Sequence, residues 1–422
     1  MATRRRTYRR GMALTVGTGT RPDSDIVAPL IKSIRDANPD VAMLVTTDAS
    51  SPHAADLQRR FGRPHPRWEE QRLASPDEIG AAFRGCLNAL RRVMALGVQA
   101  EDLTVDYTTG TKTMTTALGL AAVALRCGAL RYITGERVHG VVVAGTERFM
   151  STPPTAVLAV TELQRAEDLI HALQFRQAAE LCRQANDILL EKADCERREA
   201  LIVASEAYEA WDRFRHHEAK KKLERLAALQ NVPADLRVQE ELPSRLHKVG
   251  DAVYRGRCTP DLVADLVANS ERRLIEGRWD DAVARLYRAT EMLAQMVLRQ
   301  RHNVDTGDLQ PDQLPDTART ALFSTPGSAE EHVIGLERAY RLLEVLGEPL
   351  GERFRAAETG VWPLLQARNQ SILAHGTKPV DAREAASFFR RVVALAETEV
   401  PRFASQVEAL QFPWIQRSIL PE

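Results

Sequence analysis

The chain has 422 residues, with 57 lysine and arginine residues against 57 aspartate and glutamate residues, so its formal net charge at pH 7 is zero. This length predicts two or three domains with sizeable cores. The neutral balance argues against stable DNA binding, because a broad basic surface is needed to neutralise many phosphates, although a transient contact with RNA is still allowed. The longest apolar run, Ala117 to Leu125, is too short to span a membrane. Five scattered cysteines without metal-ligand spacing predict reduced thiols in a soluble, cytoplasmic protein.

In the first 150 residues, short β-branched runs alternate with helical patterns. The runs predict strands at Ala13–Val16, Val41–Val45, Leu103–Tyr107, Leu130–Thr134 and Val138–Ala144. The patterns between them predict helices at Ile26–Ala37, Pro76–Leu96 and Met114–Cys127. This alternation, with nearly continuous apolar strands, predicts an α/β fold with a mostly parallel, doubly wound sheet.

From about residue 161 onward, strand-like runs give way to helical periodicity, which predicts an all-α region. Three stretches each place a ring-bearing residue three positions before an alanine, and the ring-bearing residues are Phe175, His216 and Trp279. This pattern is typical of helical hairpins of the tetratricopeptide kind, but the irregular spacing argues against a regular repeat. The predicted division is an α/β domain at 10–158, a helical spacer at 159–258 and a second helical domain at 259–422.

Glycine and threonine are concentrated where three of the predicted strands turn into helices. The candidate binding residues in these turns are Gly17, Thr18 and Gly19, then Thr47, then Thr109, Gly110, Thr111 and Lys112. Ligands of open α/β sheets bind outside the carboxyl ends of the strands, where helix N-termini attract anions. The turns therefore predict a phosphate-binding pocket of backbone N–H groups, hydroxyls and one ammonium.

The named glycine-rich motifs are not met in these turns. A GxGxxG pattern would need glycine where Pro22 stands, and a Walker A loop would need its second glycine where Thr111 stands. An alternative interpretation is that the turns are tight strand-to-helix connections in which threonine serves as the N-cap.

The stretch from Asp106 to Met114, DYTTGTKTM, together with the glycine-threonine turn after the first strand, resembles the CARF domain (CRISPR-associated Rossmann fold). The resemblance covers roughly residues 10 to 155. It implies a Rossmann-like sensor that binds a cyclic oligoadenylate, made by type III CRISPR complexes, across a two-fold dimer axis. By this resemblance the glycines, threonines and lysine of the first and third turns line the ring-shaped ligand, and Thr47 of the second turn joins the candidate set.

A second motif, Ala367-Arg368-Asn369 followed by His375-Gly376, lies late in the helical part. Seven residues on a helix rotate by about 700°, so Arg368 and His375 are predicted on one face, about 10 Å apart along the axis. Gly376 predicts that the helix ends there, which puts the histidine in the last turn. This separation is too long for Arg368 and His375 of one helix to contact the same phosphate closely. The spacing therefore suits a site built from two copies of the helix.

This Arg-Asn and His pattern resembles the HEPN ribonuclease motif. The resemblance implies a homodimer in which paired motifs cleave single-stranded RNA without a metal or other catalytic cofactor, leaving a 2′,3′-cyclic phosphate. In it Arg368, Asn369 and His375 are the catalytic residues. An imidazole can move a proton between the 2′-hydroxyl and the leaving oxygen, and a guanidinium can stabilise the transition-state charge. An Arg and a His seven residues apart also occur by chance, and a histidine before glycine is a common helix cap.

A CARF-like domain followed by a HEPN-like motif is the layout of the CRISPR ancillary ribonucleases. The predicted protein is thus an antiviral endoribonuclease with cyclic oligoadenylate as allosteric activator. The spacer either relays the movement of the sensor or widens the dimer interface. Two alternatives stay open: a CARF-type regulator, and a ring nuclease that degrades its cyclic ligand. His216-His217-Glu218 is interpreted as a solvated helix face rather than a metal site, because Lys220 to Lys222 are repulsive to a cation.

Overall fold

A computed structural model describes residues 8–19, 25–62, 66–138, 141–143, 145–185, 188, 190–323, 333–356 and 376–415. By their contacts the residues fall into two compact units. The sheet unit contains Met1–Glu162 and Ala185–Glu191, and the helical unit contains Leu163–Gln184 and Lys192–Glu422.

The sheet unit alternates strands and helices over most of its length. Its elements are β1 (Gly11–Thr15), α1 (Val27–Ala37), β2 (Val41–Thr46), α2 (Ser51–Phe61), β3 (Arg67–Arg72), α3 (Ile79–Ala95), β4 (Leu103–Asp106), α4 (Lys112–Ala124), β5 (Ala129–Thr134), β6 (Arg137–Val138), β7 (Val141–Val142) and β8 (Arg148–Thr152). Helix α5 (Pro154–His171) then runs across the boundary into the helical unit.

One six-stranded sheet forms the centre of this unit, in the order β3-β2-β1-β4-β5-β8. The first five strands in that order are parallel, and β8 is antiparallel to β5. The chain proceeds from β1 to β2 and β3 on one side, and from β4 to β5 on the other. The strand order therefore reverses between β1 and β4, which makes their carboxyl ends the switch point of the sheet.

Two hydrophobic cores cover the two faces of the sheet, as the doubly wound prediction requires. Because side chains alternate between faces along a strand, Ala13 of β1 packs in the core of α3 and α4. Its neighbours Met12 and Leu14 pack in the core of α1 and α2. The central strands are buried on both faces and the mostly parallel α/β fold is confirmed.

The two edge strands were not predicted. β3 has the sequence RWEEQR, so it carries no apolar alternation, and its register is set by backbone pairing with β2. At the other edge, a strand was predicted over Val138–Ala144, where the described residues form only the two-residue pair β6 and β7. The sixth strand of the sheet is instead β8, whose Met150 is exposed. Edge strands bury little side-chain surface, so backbone pairing rather than hydrophobic pattern decides where they form.

The described part of the helical unit contains no strand, which agrees with the all-α prediction. Its helices are α6 (Phe175–Gln184), α7 (Lys192–Asp212), α8 (His216–Ala227), α9 (Leu242–Tyr254), α10 (Pro260–Ile275), α11 (Trp279–His302), α12 (Asp316–Phe323), α13 (Leu336–Val345), α14 (Pro349–Ala356), α15 (Ala382–Ala396) and α16 (Phe403–Ala409).

The hairpin pattern correctly locates three of these helices. α6, α8 and α11 begin at the three ring-bearing residues, and the alanines three positions later, Ala178, Ala219 and Ala282, are fully or almost fully enclosed. α7 packs against α6 and α8, and α10 packs against α11, α15 and α16. Small alanines at these positions permit close helix contact, which explains why the pattern marks hairpins.

A cluster of polar side chains is buried where α7, α8 and α10 meet. Asp265 accepts hydrogen bonds from Trp211 Nε1 and lies beside His216 Nε2, both at 2.7 Å. Arg272 is fully buried, donates to Asp212 Oδ1 at 2.9 Å and stacks over the Phe412 ring at 4.2 Å. Burial lowers the pKa of the Arg272 guanidinium, and the two aspartates oppose that shift. We call these residues the α10 polar cluster. His216 belongs to it, so the expectation of a solvated face is wrong for this residue.

Among the described residues, no helix is both long and apolar enough to cross a membrane. No disulfide joins the five cysteines, all of which lie within the described residues. Burial raises the pKa of Cys86 to about 12 and that of Cys127 to about 11, so both thiols are protonated at neutral pH.

Candidate functional site

The switch point brings together two of the predicted glycine-threonine turns. Strand β1 pairs directly with β4, so that Leu14 lies opposite Asp106 near the carboxyl end of both strands. The turn that follows β1 contains Gly17 to Gly19, and the turn that follows β4 runs to Thr111. Residues about 90 positions apart in the chain therefore meet at one edge of the sheet.

Reciprocal hydrogen bonds fasten the two turns to each other. Thr109 Oγ1 donates to the carbonyl of Thr15 at 2.6 Å, and Thr15 Oγ1 donates to the carbonyl of Thr109. A Cβ at Gly17 would lie 2.7 Å from the Gly110 nitrogen, so no other residue fits there without moving the backbone. Gly110 has a φ of 111°, a conformation that side chains disfavour. Both glycines are thus required by the closeness of the turns.

The buried Asp106 carboxylate holds the turn after β4 in place. Its Oδ1 accepts from the Thr108 backbone N–H at 2.9 Å, and its Oδ2 accepts from Ser33 Oγ of α1. Thr108 Oγ1 in turn accepts from the Ile133 N–H at 2.9 Å. The Tyr107 ring stacks on Tyr132 with 5.4 Å between centroids. The turn is therefore held rigidly before any ligand binds.

Helix α4 starts at this turn and presents its N-terminus there. Thr111 is the N-cap, and its Oγ1 accepts from the Met114 N–H at 3.2 Å. The N-cap interpretation of this threonine is therefore correct, and it is compatible with ligand binding by the same turn. Gly110 and Lys112 are exposed, and Thr109 is partly buried. Backbone N–H groups at a helix start beside an ammonium form an arrangement that favours a phosphate.

The first turn of α1 is satisfied by the protein itself. Asp25 Oδ1 accepts from the N–H groups of Val27 and Ala28, both at 3.1 Å. Arg60 makes a two-pronged ion pair with the same carboxylate at 2.8 and 2.7 Å, and this hydrogen bonding lowers the pKa of Asp25 to about 2. Since a carboxylate already occupies this helix start, an anionic ligand is better received by α4.

The structure brings Thr47 to the same edge of the sheet, but its polar groups are engaged locally. The Thr47 N–H donates to Ser50 Oγ at 2.9 Å, and the Ser50 N–H donates to Thr47 Oγ1 at 3.2 Å. These bonds close the turn that precedes α2. Seven of the eight candidate binding residues lie in the two adjoining turns: Gly17, Thr18, Gly19 and Thr109 to Lys112. The eighth, Thr47, lies one strand further away.

Sequence reasoning missed the residues that hold the turns together. Thr15 and Asp106 end their strands, where hydrophobic patterning gives no reason to single them out, and Ser33 lies on the buried face of α1. A buried acid directly before a glycine-threonine turn is the signal that could have identified Asp106. Its function is to position the turn.

The candidate catalytic residues Arg368, Asn369 and His375 lie outside the described residues, and their placement stays a prediction. Helix α11, in the region that follows the helical spacer, packs against α10, α13 and α15. Asp381 caps α15 by accepting from the Glu384 N–H at 2.8 Å.

Comparison with known proteins identifies the helical part. Residues 158–252 match the model of the Csm6 6H domain, and residues 254–399 match the model of the Csm6 HEPN domain. Together the two matches cover more than half of the chain. No curated protein sequence matches it.

Similarity to solved structures extends to the sheet unit. The structure of Enterococcus italicus Csm6 bound to cyclic hexa-2′-fluoro-hexa-dAMP aligns with a TM-score of 0.58 at 12% identity. The alignment covers 95% of this chain and 99% of that one. Can2 from Sulfobacillus thermosulfidooxidans in complex with cyclic tetra-adenylate has a TM-score of 0.24 at 14% identity, over 49% of this chain and 67% of that one. A score that low supports no argument, whereas the first alignment establishes a common fold.

A doubly wound sheet unit followed by 6H and HEPN domains defines a CARF–HEPN ancillary nuclease of CRISPR defence. The chain belongs to the Csm6 family.

Proposed function

We propose that this protein is a metal-independent, single-stranded RNA endoribonuclease of type III CRISPR antiviral defence, activated in the cytoplasm by a cyclic oligoadenylate. One combination carries the proposal: a preorganised, anion-favouring switch point in the sheet unit, on the same chain as a region that matches the Csm6 HEPN domain. The first component supplies a sensor, and the second supplies the family's nuclease domain.

The ligand site is formed by the turns after β1 and β4. The buried Gly17 lets the turn after β1 lie directly against Gly110, and the exposed Gly110 leaves room for a phosphate to approach the N–H groups at the start of α4. Lys112 supplies positive charge, and the exposed Thr18 hydroxyl can bond to phosphate or ribose oxygens. Thr109 Oγ1 already donates to the Thr15 carbonyl, so it can only accept, for instance from a ribose hydroxyl. Two copies of the site, related by the two-fold axis of a homodimer, bind one ring-shaped ligand. The cyclic ligand named for the Enterococcus italicus protein supports this ligand class.

In the proposed reaction, the HEPN site is assembled from two copies of the Arg368, Asn369 and His375 set. The 2′-oxygen attacks the adjacent phosphorus and the 5′-oxygen leaves, while His375 moves a proton between these oxygens. Arg368 stabilises the negative charge that develops on the phosphate, and Asn369 orients one of these groups by hydrogen bonding. The product is a 2′,3′-cyclic phosphate. Because imidazole and guanidinium supply proton transfer and charge stabilisation, the reaction requires no metal.

Activation follows from a difference in affinity. The cyclic oligoadenylate binds more tightly to the dimer arrangement in which the two catalytic sets are in register, so its binding shifts the population toward that arrangement. A ligand with equal affinity for both arrangements would leave cleavage unchanged.

The test is cleavage of a fluorogenic single-stranded RNA in the presence of EDTA, with cyclic tri-, tetra- or hexa-adenylate added separately. We expect one ring size to switch cleavage on, and His375→Ala to abolish it. His53→Ala is the matched control, since this histidine lies on α2 outside both candidate sites. Tight ring binding without RNA cleavage would contradict the proposal and favour a regulator. Consumption of the ring without RNA cleavage would favour a ring nuclease.

A further inference from the structure

We propose that helices α8 and α9 of the helical unit hold a divalent transition-metal ion, Zn²⁺ by its ligand chemistry, through His217, His247 and Asp251. One ligand atom from each of these residues lies within 4.8 Å of the other two. Among the described residues they form the one group of this composition close enough to share an ion. The assignment does not depend on the RNA cleavage proposed above.

The distances between the ligand atoms are close to those of a metal site. His217 Nε2 lies 3.6 Å from Asp251 Oδ1, and His247 Nε2 lies 3.8 Å from Asp251 Oδ2. In a tetrahedral zinc site with bonds of about 2.0–2.1 Å, ligand atoms are about 3.3–3.4 Å apart. Small side-chain rotations bring the three atoms to that spacing, because each side chain is about half exposed.

The helix geometry explains why these residues converge. His247 and Asp251 are four positions apart on α9, so they share one face. His217 reaches them from the first turn of α8, which packs against α9. The His217 and His247 rings stand edge to face, with centroids 5.4 Å apart.

Gly250 makes room for the His217 imidazole between the two helices. A Cβ at this position would lie 3.0 Å from His217 Cε1 and 3.1 Å from His217 Nε2. Any larger residue would therefore require the His217 ring, or His216 Cβ at 3.1 Å, to shift by a few tenths of an ångström. Glycine in the middle of a helix is costly, so its presence fits a site that needs the space.

The neighbouring lysines are less repulsive than the sequence suggests. Lys220 pairs with Glu224 at 3.4 Å, and Lys222 pairs with Glu206 at 2.6 Å. Carboxylates therefore neutralise two of the three ammonium groups that argued against a cation. The sequence also gave no sign of further ligands, because His247 and Asp251 are 30 and 34 positions away from His217.

Two imidazoles and one carboxylate suit zinc better than magnesium or calcium, which prefer oxygen ligands. Three protein ligands leave one position for water, as in zinc sites that are not closed. The ion would join the start of α8 to the middle of α9, across the connection formed by residues 228–241. Its effect is to stabilise this helix pair within the part that matches the Csm6 6H domain.

The test uses the full-length protein without a histidine tag, treated with a chelator and then titrated with Co²⁺ or Zn²⁺. We expect one ion per chain, the visible ligand-field absorption of four-coordinate Co²⁺, and displacement of Co²⁺ by Zn²⁺. His247→Ala and Asp251→Asn should each weaken Zn²⁺ binding by at least about tenfold. Asp251→Glu, which keeps the carboxylate, should retain part of the affinity.

Two control variants match these substitutions in chemistry. Glu218→Gln removes a carboxylate next to His217 that is not a proposed ligand, and His53→Ala removes a histidine of the sheet unit. Both should bind Zn²⁺ as the natural protein does. At the same Zn²⁺ concentration, the melting temperature should rise more for the natural protein than for Asp251→Asn. Equal binding by Asp251→Asn and the natural protein, or no cobalt absorption, would overturn the assignment. Circular dichroism verifies that the variants fold.

Discussion

The two units of the molecule use polar side chains in opposite ways. At the switch point of the sheet unit, the polar groups near the surface are hydroxyls, backbone amides and one exposed lysine, arranged around Gly17 and Gly110. In the helical unit, the α10 polar cluster pairs charged groups that have little or no exposure, and its Arg272 and Asp265 are completely buried. The first arrangement leaves hydrogen-bonding groups available at a surface, whereas the second pairs its charges internally.

The difference follows from the geometry of strands and helices. Parallel strands end at one edge, so their turns meet there and present backbone groups to a ligand. Helices pack through side chains along their length, and a charge buried between them must find a partner within the protein. Polar residues therefore indicate binding at the edge of the sheet, and they fix helix positions in the α10 polar cluster.

The largest expected effect separates catalysis from ligand binding. We expect His375→Ala to lower activated RNA cleavage by at least about 100-fold, because it removes the proposed proton-transfer group. Binding of the cyclic oligoadenylate, measured by calorimetry, should be unchanged. A variant that retains more than half of the cleavage rate would exclude His375 from the reaction.

The α10 polar cluster should be the most sensitive point for stability. Arg272→Met leaves the buried Asp265 without its guanidinium partner, whereas Asp212 keeps Arg273 at 2.6 Å. We expect a loss of about 3 kcal/mol in the free energy of unfolding. Urea denaturation followed by circular dichroism measures it. Arg288→Met, at a half-exposed arginine of α11, is the matched control and should change stability by less than about 0.5 kcal/mol. Equal effects of the two variants would show that burial of the cluster contributes nothing.

At the switch point, a single methyl group should be enough to disturb binding. Gly17→Ala places a Cβ 2.7 Å from the Gly110 nitrogen, so the two turns must separate. We expect the affinity for the cyclic oligoadenylate to fall by at least tenfold, as measured by calorimetry. Gly119→Ala on α4 meets no atom within 4 Å and should bind normally, with stability raised by about 0.5–1 kcal/mol. Unchanged binding by Gly17→Ala would place the ligand elsewhere.

The smallest effect concerns the exposed ion pair at the start of α1. Arg60 lowers the pKa of Asp25 to about 2, so the pair stabilises the fold above the unfolded pKa of about 3.9. That stabilisation is lost as the pH falls from about 4 to about 2. Because both side chains are more than a third exposed, we expect Arg60→Gln to cost less than about 1 kcal/mol at pH 7. Urea denaturation should show the difference shrinking toward pH 2, and a constant difference would contradict the assignment.

The buried strands and the start of three helices were predictable because their residues carry a local pattern. β1 and β2 are buried apolar runs, β4 and β5 are short runs with β-branched residues, and α6, α8 and α11 begin at a ring-bearing residue with a small alanine three positions later. β3 was not predictable, since its polar sequence pairs with β2 through backbone groups. The positions of Arg368, Asn369 and His375 stay predictions from their motif.

The sequence by itself determined the alternation of elements, the glycine-threonine turns and the resemblance that they carry, because each depends on residues close together in the chain. Only the tertiary structure decided which turns meet. The Thr15–Thr109 bonds and the contact of Gly17 with Gly110 require β1 and β4 to be neighbours, which strand order alone specifies. The tertiary structure likewise brings His217, His247 and Asp251 together, and it places Asp265 beside the buried His216. Contacts between residues distant in the chain arise from packing, and no local sequence pattern predicts them.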